Sequence, residues 1–205
     1  DAYVDGLGNV LGELARRGAD ARVVLTSSTG VYGQSDGEWV DESSPTDHVS
    51  PRAARLVRAE ALLAASPLST VSLRFSGIYG PTRTSMVTKL RTGEARLPRT
   101  VRWTNRIHRD DCAGAVAHAL WLPTPAPTYI ASDEAPVPLG DVITWLAAKL
   151  GVPVPPLEDA PDDTKPPYRG DGNKRCQGAL LRASGYGFRY PTFREGYGAL
   201  IDAGA

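Results

Sequence analysis

The chain has 205 residues, enough for one domain or one domain with a small annex. Hydrophobic residues make up 41% and charged residues 22%, an ordinary globular balance, and the 23 basic residues equal the 23 acidic ones. Zero net charge argues against a broad nucleic-acid surface, and no apolar run approaches the roughly 20 residues of a membrane helix.

Val4, Leu7, Leu11, Leu14 and Ala15 recur at helical spacing, and Gly18 is placed to end that helix. Gly6, Gly8 and Gly12 imitate a dinucleotide-binding glycine loop. Such a loop has to follow a buried strand, and only Ala2-Tyr3-Val4 precedes this one. The glycines are therefore expected inside a packed helix. Val23 to Leu25 is apolar and runs into Thr26-Ser27-Ser28-Thr29-Gly30, then Val31-Tyr32-Gly33. This predicts a buried parallel strand emptying into a loop. In open α/β sheets ligands sit just beyond the carboxyl ends of strands, which makes Ser27 and Ser28 site candidates. The alternative is that their hydroxyls only satisfy loop amides.

Gln34 to Val49 is polar, with Gly37 and Pro45, and reads as a surface loop. Ser50-Pro51 suits an N-cap followed by proline at the first helical position, opening a helix to about Ala65. Thr70 to Phe75 is a second buried strand, ending in Ser76-Gly77-Ile78-Tyr79-Gly80-Pro81. Strand, helix and strand at this spacing form a βαβ unit, which implies a parallel sheet and a right-handed crossover.

Thr82 to Gly93 is predicted as a helix around Met86, Val87 and Leu90, and Arg96 to Trp103 as a basic, irregular segment. Asp110 and Asp111 suit the start of a helix whose apolar positions are Ala113, Val116, Ala117, Leu120 and Trp121. Thr128 to Ala131 is a short strand, and Leu139 to Leu150 a helix stopped by Gly151. Val152 to Gly172, with six prolines and five acidic residues, reads as an extended loop. Ala179 to Ala183 is a short helix, and Thr192 with Glu195 forms a capping box for a last helix through Tyr197, Leu200 and Ile201. Cys112 and Cys176 show no metal-like spacing, so no metal site is expected. The acidic start carries no signal-peptide pattern, and a cytoplasmic location is the default.

Four stretches together resemble the extended short-chain dehydrogenase/reductase superfamily, the NAD-dependent epimerases and dehydratases. They are the helix from Gly6 to Ala15, Ser27-Ser28-Thr-Gly-Val31-Tyr32-Gly33, Arg74-Phe-Ser-Gly-Ile-Tyr79-Gly80-Pro81, and Ile107-His108-Arg-Asp-Asp111. The nearest likeness is to divergent bacterial members of the nucleoside-diphosphate-sugar epimerase type. The resemblance implies an α/β fold: the C-terminal part of a Rossmann-like, doubly wound parallel sheet with a small α+β substrate lobe. Residues 1–80 would belong to the NAD(P)-binding domain, with 108–132 packing back on it. Residues 81–107 and 133–205 would form the lobe. The family's glycine-rich segment is expected before Asp1, which would make this chain the later portion of a longer protein.

The same resemblance implies NAD or NADP as cofactor and a small-molecule substrate. The zero net charge and the lack of a membrane-length apolar run lead to an expectation of no nucleic-acid or membrane partner, and the resemblance allows a homodimer through the two long helices. Ser28 aligns with the family's catalytic hydroxyl. The family's proton-transferring Tyr and Lys fall at Arg52 and Leu56, counting back from Glu60, and neither can substitute: arginine is a poor proton donor and leucine has no charge. Tyr32 or Tyr79 could replace the acid if its pKa were lowered. Ser27, Ser76, Gly77, Ile78 and Tyr79 are candidate cofactor contacts. Arg52, Arg83, Arg106, Lys174 and Arg175 are candidate substrate contacts. His108 is expected to be a buried structural histidine, and Asp111 to support its helix N-terminus. The implied activity is hydride transfer at a carbinol or carbonyl carbon, and the alternatives are a non-catalytic NAD(P)-binding sensor or an inactive fragment.

Overall fold

The computed structural model describes residues 2–46, 50–159 and 172–204. The end of the predicted 34–49 loop and most of the 152–172 loop lie outside these residues. The chain opens with α1 (Ala2–Arg16), β1 (Arg22–Ser28) and a single 3-10 turn over Thr29–Val31. It continues through β2 (Glu38–Val40), α2 (Pro51–Ala64), β3 (Ser69–Phe75), β4 (Gly77–Tyr79) and α3 (Ser85–Arg91). Next come β5 (Trp103–Thr104), β6 (Arg106–His108), α4 (Arg109–Trp121), β7 (Thr128–Ala131), β8 (Val137–Pro138) and α5 (Leu139–Leu150). The chain finishes with β9 (Lys174–Cys176), α6 (Ala179–Ala183) and α7 (Phe193–Asp202). No helix among the described residues is long and apolar enough to cross a membrane.

The central sheet has the order β1-β3-β7 and is wholly parallel. Val24 stands opposite Val71 and Ser28 opposite Phe75. Side chains alternate across β1 because strand residues point to opposite faces in turn. Val23 and Leu25 pack with Leu11 of α1 and Ala59 and Leu63 of α2. Val24 packs on the other face, in the cluster that joins β3 and β7 to α4. Helices on both faces explain why these strands read as near-continuous apolar runs. Three short pairs surround the sheet: β2 with β9 and β4 with β6, both parallel, and β5 with β8, antiparallel.

The helices begin as their sequences dictate. The Ser50 side chain accepts the Ala53 amide, with Pro51 at the first helical position. Thr192 and Glu195 cap α7 reciprocally. Gly6, Gly8 and Gly12 lie within α1, as expected of glycines in a packed helix. Helix α3 is shorter than the predicted 82–93 span.

The buried face of α4 differs from the predicted one. Asp111, Ala115 and Ala119 point inward, flanked by Cys112 and Val116, whereas Trp121 is 86% exposed. Alanines let the helix lie close to β3, and a stripe of large side chains would have held it away. Asp111 does not cap its own helix. The His108 side chain does that, accepting the Asp110 amide at 3.2 Å. The buried Asp111 carboxylate instead accepts the amides of Arg189 (2.7 Å) and Tyr190 (3.0 Å) and the Tyr186 hydroxyl (3.1 Å), pinning the approach to α7.

A second core lies beyond the carboxyl end of β3. Tyr79 meets Val87 and Leu90 of α3, Val142, Ile143 and Leu146 of α5, and Phe193, Tyr197 and Leu200 of α7 there.

Candidate active site

The parallel register delivers Ser28 and the Ser76-Gly77 step side by side at the carboxyl ends of β1 and β3. Ser28 is half-buried, and its Oγ accepts the Gly30 amide at 3.1 Å. Its own O–H has no acceptor among the described residues, so one hydrogen-bond donor is left at the strand end. Ser27 points the opposite way. It is buried and donates to Glu60 Oε1 at 2.5 Å, so its hydroxyl proton is engaged in the interior.

Glu60 is the centre of a closed network. Arg74 of β3 meets its carboxylate through Nη2 (2.6 Å to Oε2) and Nε (3.1 and 3.2 Å). Arg74 Nη1 donates to the Tyr32 hydroxyl at 2.7 Å, and the guanidinium lies 5.0 Å from the Tyr32 ring centre. A buried ion pair survives only when its hydrogen bonds are satisfied, and Tyr32 and Ser27 complete this one.

Tyr32 lies inside this network. It is 1% exposed, and burial pushes its pKa up to about 12, opposed only in part by Arg74. The proposed acid role required a lowered pKa. The family's dyad is not restored either: Arg52 is exposed on α2, and Leu56 packs with Val31, Tyr32, Val40 and Cys176.

An open cleft of about 730 Å³ lies beyond β3 and β4. Five of the predicted residues line it together: Gly77, Ile78, Tyr79, Arg83 and Arg106. Ser76 stays beneath the surface, its hydroxyl 3.5 Å from the Ala131 carbonyl. Gly77 is held against β6, where an added Cβ would meet the Asn105 carbonyl oxygen at 2.9 Å. Tyr79 is 3% exposed, stacks on Tyr197 at 4.4 Å and meets the His108 ring edge-on at 5.3 Å. Its hydroxyl presses on Gly196, where any Cβ would collide with it. Burial raises the Tyr79 pKa, the opposite direction to the lowering that a replacement acid would need.

Arg106 is buried, donates to Thr104 Oγ1 at 2.6 Å and lies near the Tyr197 phenol. Asp133, 2% exposed, sits beside it, its amide on the Arg106 carbonyl at 2.7 Å. Burial pushes the Asp133 carboxyl up to about 7, against the pull of the Ala135 amide and Arg106. Asp133 Oδ2 and the Tyr79 hydroxyl are buried without a hydrogen-bond partner among the described residues.

The other predicted cations lie away from the cleft. Buried Lys174 donates from Nζ to the Tyr32 carbonyl at 2.9 Å, and burial lowers its pKa. Arg175 lies between the Trp39 and Trp103 rings, 4.9 and 4.8 Å from their centres, with Nε on the Gly37 carbonyl. Arg52 lies near Tyr3 on the α1–α2 side. Sequence reasoning missed Asp133 and Tyr197. Asp133 had a readable signal: it stands two residues past the end of β7, where an α/β sheet delivers its ligand contacts.

No family model matches the chain. It is 30% identical over 208 residues to a 3-diazoavenalumate denitrifying reductase from Streptomyces sp., covering 90% of this chain and 66% of that protein. A solved candidate NAD-dependent epimerase/dehydratase from Methylobacillus flagellatus is 42% identical, with a TM-score of 0.80 over 98% of this chain and 70% of that one. UDP-glucose 4-epimerase from Thermus thermophilus, solved with NAD, is 24% identical and matches in fold, with a TM-score of 0.79 over 99% of this chain and 70% of that one. The chain thus spans about two thirds of the length of these relatives. Parallel sheet, strand-end serine and 42% identity to a full-fold neighbour agree: the chain belongs to the NAD-dependent epimerase/dehydratase family of the extended short-chain dehydrogenase/reductase superfamily.

Proposed function

We propose that this chain serves NAD(P)-dependent epimerase- or reductase-type chemistry on a small hydroxyl or carbonyl compound. The observation that carries this is the pairing of two parallel strand ends, with the Ser28 donor at one and the cleft at the other. Structural neighbours solved in complex with NAD or with NADPH support a nicotinamide cofactor.

The residues present fit the reactive end of such a cofactor. Gly77 brings bare backbone to the cleft wall, and Ile78 offers an apolar side chain beside it. The bound cofactor would supply hydride transfer to or from a carbon of the substrate. Ser28 Oγ is held by accepting from Gly30, which leaves its O–H to donate to a substrate oxygen as charge develops there. Arg83 and Arg106 give the cleft positive character for the rest of the substrate. A second reading, cofactor binding without turnover, is favoured by the exposed Arg52 and packed Leu56 at the dyad positions.

Fluorescence titration of the full-length protein with NADH and NADPH, followed by turnover on a polyol and sugar panel, tests both readings. Catalysis predicts turnover that Ser28→Ala lowers about tenfold or more, with cofactor affinity unchanged. Cofactor binding with no turnover selects the sensor, and no cofactor binding removes both.

A further inference from the structure

The two arginines of the cleft are not equivalent. Arg106 is enclosed, 9% exposed, and donates to Thr104 Oγ1 with Tyr197 and Asp133 nearby. Arg83 is exposed on the cleft wall, and its guanidinium has no hydrogen bond or ion pair among the described residues. None of the thirteen lining residues is acidic, and seven carry hydroxyl groups. Most of those hydroxyls sit on the turn and helix between Thr82 and Thr88, next to Arg83. The cleft thus presents one exposed guanidinium fork among neutral donors and acceptors.

That arrangement has a chemical counterpart. A guanidinium fork takes a single planar carboxylate through two parallel hydrogen bonds. A diphosphate brings at least two charges and calls for a second exposed cation, whereas the other cation among the described lining residues, Arg106, is only 9% exposed. Resting on the reading of this cleft as the substrate site, we propose that its ligand is a compact hydroxylated monocarboxylate, seated on Arg83, and not a nucleoside diphosphate. The hydroxyls of the Thr82–Thr88 wall take the ligand's neutral oxygens.

Calorimetric titration of the full-length protein at low ionic strength with D-gluconate, 4-hydroxycinnamate and UDP-glucose tests this. Binding of at least one carboxylate is expected, weakened about tenfold or more by Arg83→Ala and less by Arg83→Lys, with the methyl ester of that ligand not binding. Arg83 is exposed, so these variants keep the fold. Tighter binding of UDP-glucose, no binding of either carboxylate, or carboxylate affinity within about twofold of wild type in Arg83→Ala overturns the proposal. NADH and NADPH titrations of the same samples separate it from the cofactor reading. Carboxylate binding without cofactor binding leaves the ligand class standing and refutes the enzyme. Cofactor binding with UDP-glucose preference does the reverse.

Discussion

Two polar clusters flank the end of β3, and they are built on opposite terms. Around Arg74 the groups satisfy one another: Glu60 takes three of its donor contacts, Tyr32 takes another, and Ser27 fills a remaining lone pair. Around Tyr79 they do not: its hydroxyl and Asp133 Oδ2 have no partner among the described residues, though both are buried. An unsatisfied buried polar group costs about 1–3 kcal/mol, so the second cluster carries a penalty that the first avoids. The contrast teaches that chemically suggestive side chains can be spent on holding strands and helices together. Positions that keep unspent hydrogen-bonding capacity are the better guide to where a ligand acts.

The largest effect should come from breaking the closed cluster. Glu60→Ala strands the buried Arg74 charge and is expected to lower stability by about 3–5 kcal/mol in urea unfolding. A loss below about 1 kcal/mol would mean that the pair is solvated and the contrast false.

Asp133 probes the other side. Its folded pKa near 7 lies above the usual carboxyl value, so the folded state holds a proton that the unfolded chain releases. Stability should therefore fall as pH rises from about 4 to about 7 and stay level above. Asp133→Asn removes this contribution, and its advantage over wild type should grow across that window by about 3 kcal/mol. An advantage that does not change with pH would show that Asp133 is ionised throughout.

Tyr32→Phe makes the finest distinction. It removes one acceptor from Arg74 and is expected to cost about 1–3 kcal/mol of stability while leaving any measured turnover within a factor of a few. A general acid lost at this position would instead lower the rate about 100-fold or more.

The framework of the molecule was legible in the chain. Val23–Leu25 and Val71–Leu73 do pair in parallel, because a strand covered on both faces needs a continuous apolar run. Ser50-Pro51 and Thr192/Glu195 start helices because local hydrogen bonds decide such ends. The face of α4 was misread because hydrophobicity alone ranks Trp121 above Ala115, whereas close packing on a sheet favours the smaller residue. Tyr32 and Ser27 carry the family pattern, and no local feature shows that Glu60 and Arg74 claim their hydroxyls. Ser27 and Glu60 are 33 residues apart and Tyr32 and Arg74 are 42, separations only the folded chain closes.

Arg22 has a consequence for how the molecule is made. From the first residue of β1, its guanidinium gathers the carbonyls of Ala119, Leu120, Leu122 and Pro123, closing the end of α4 about a hundred residues later. Such a clasp cannot form until Pro123 has left the ribosome. Contacts of this sequence separation come late in folding. The sheet and its second helical layer should consequently consolidate in one late step, and a nascent chain stopped before Pro123 should remain sensitive to protease.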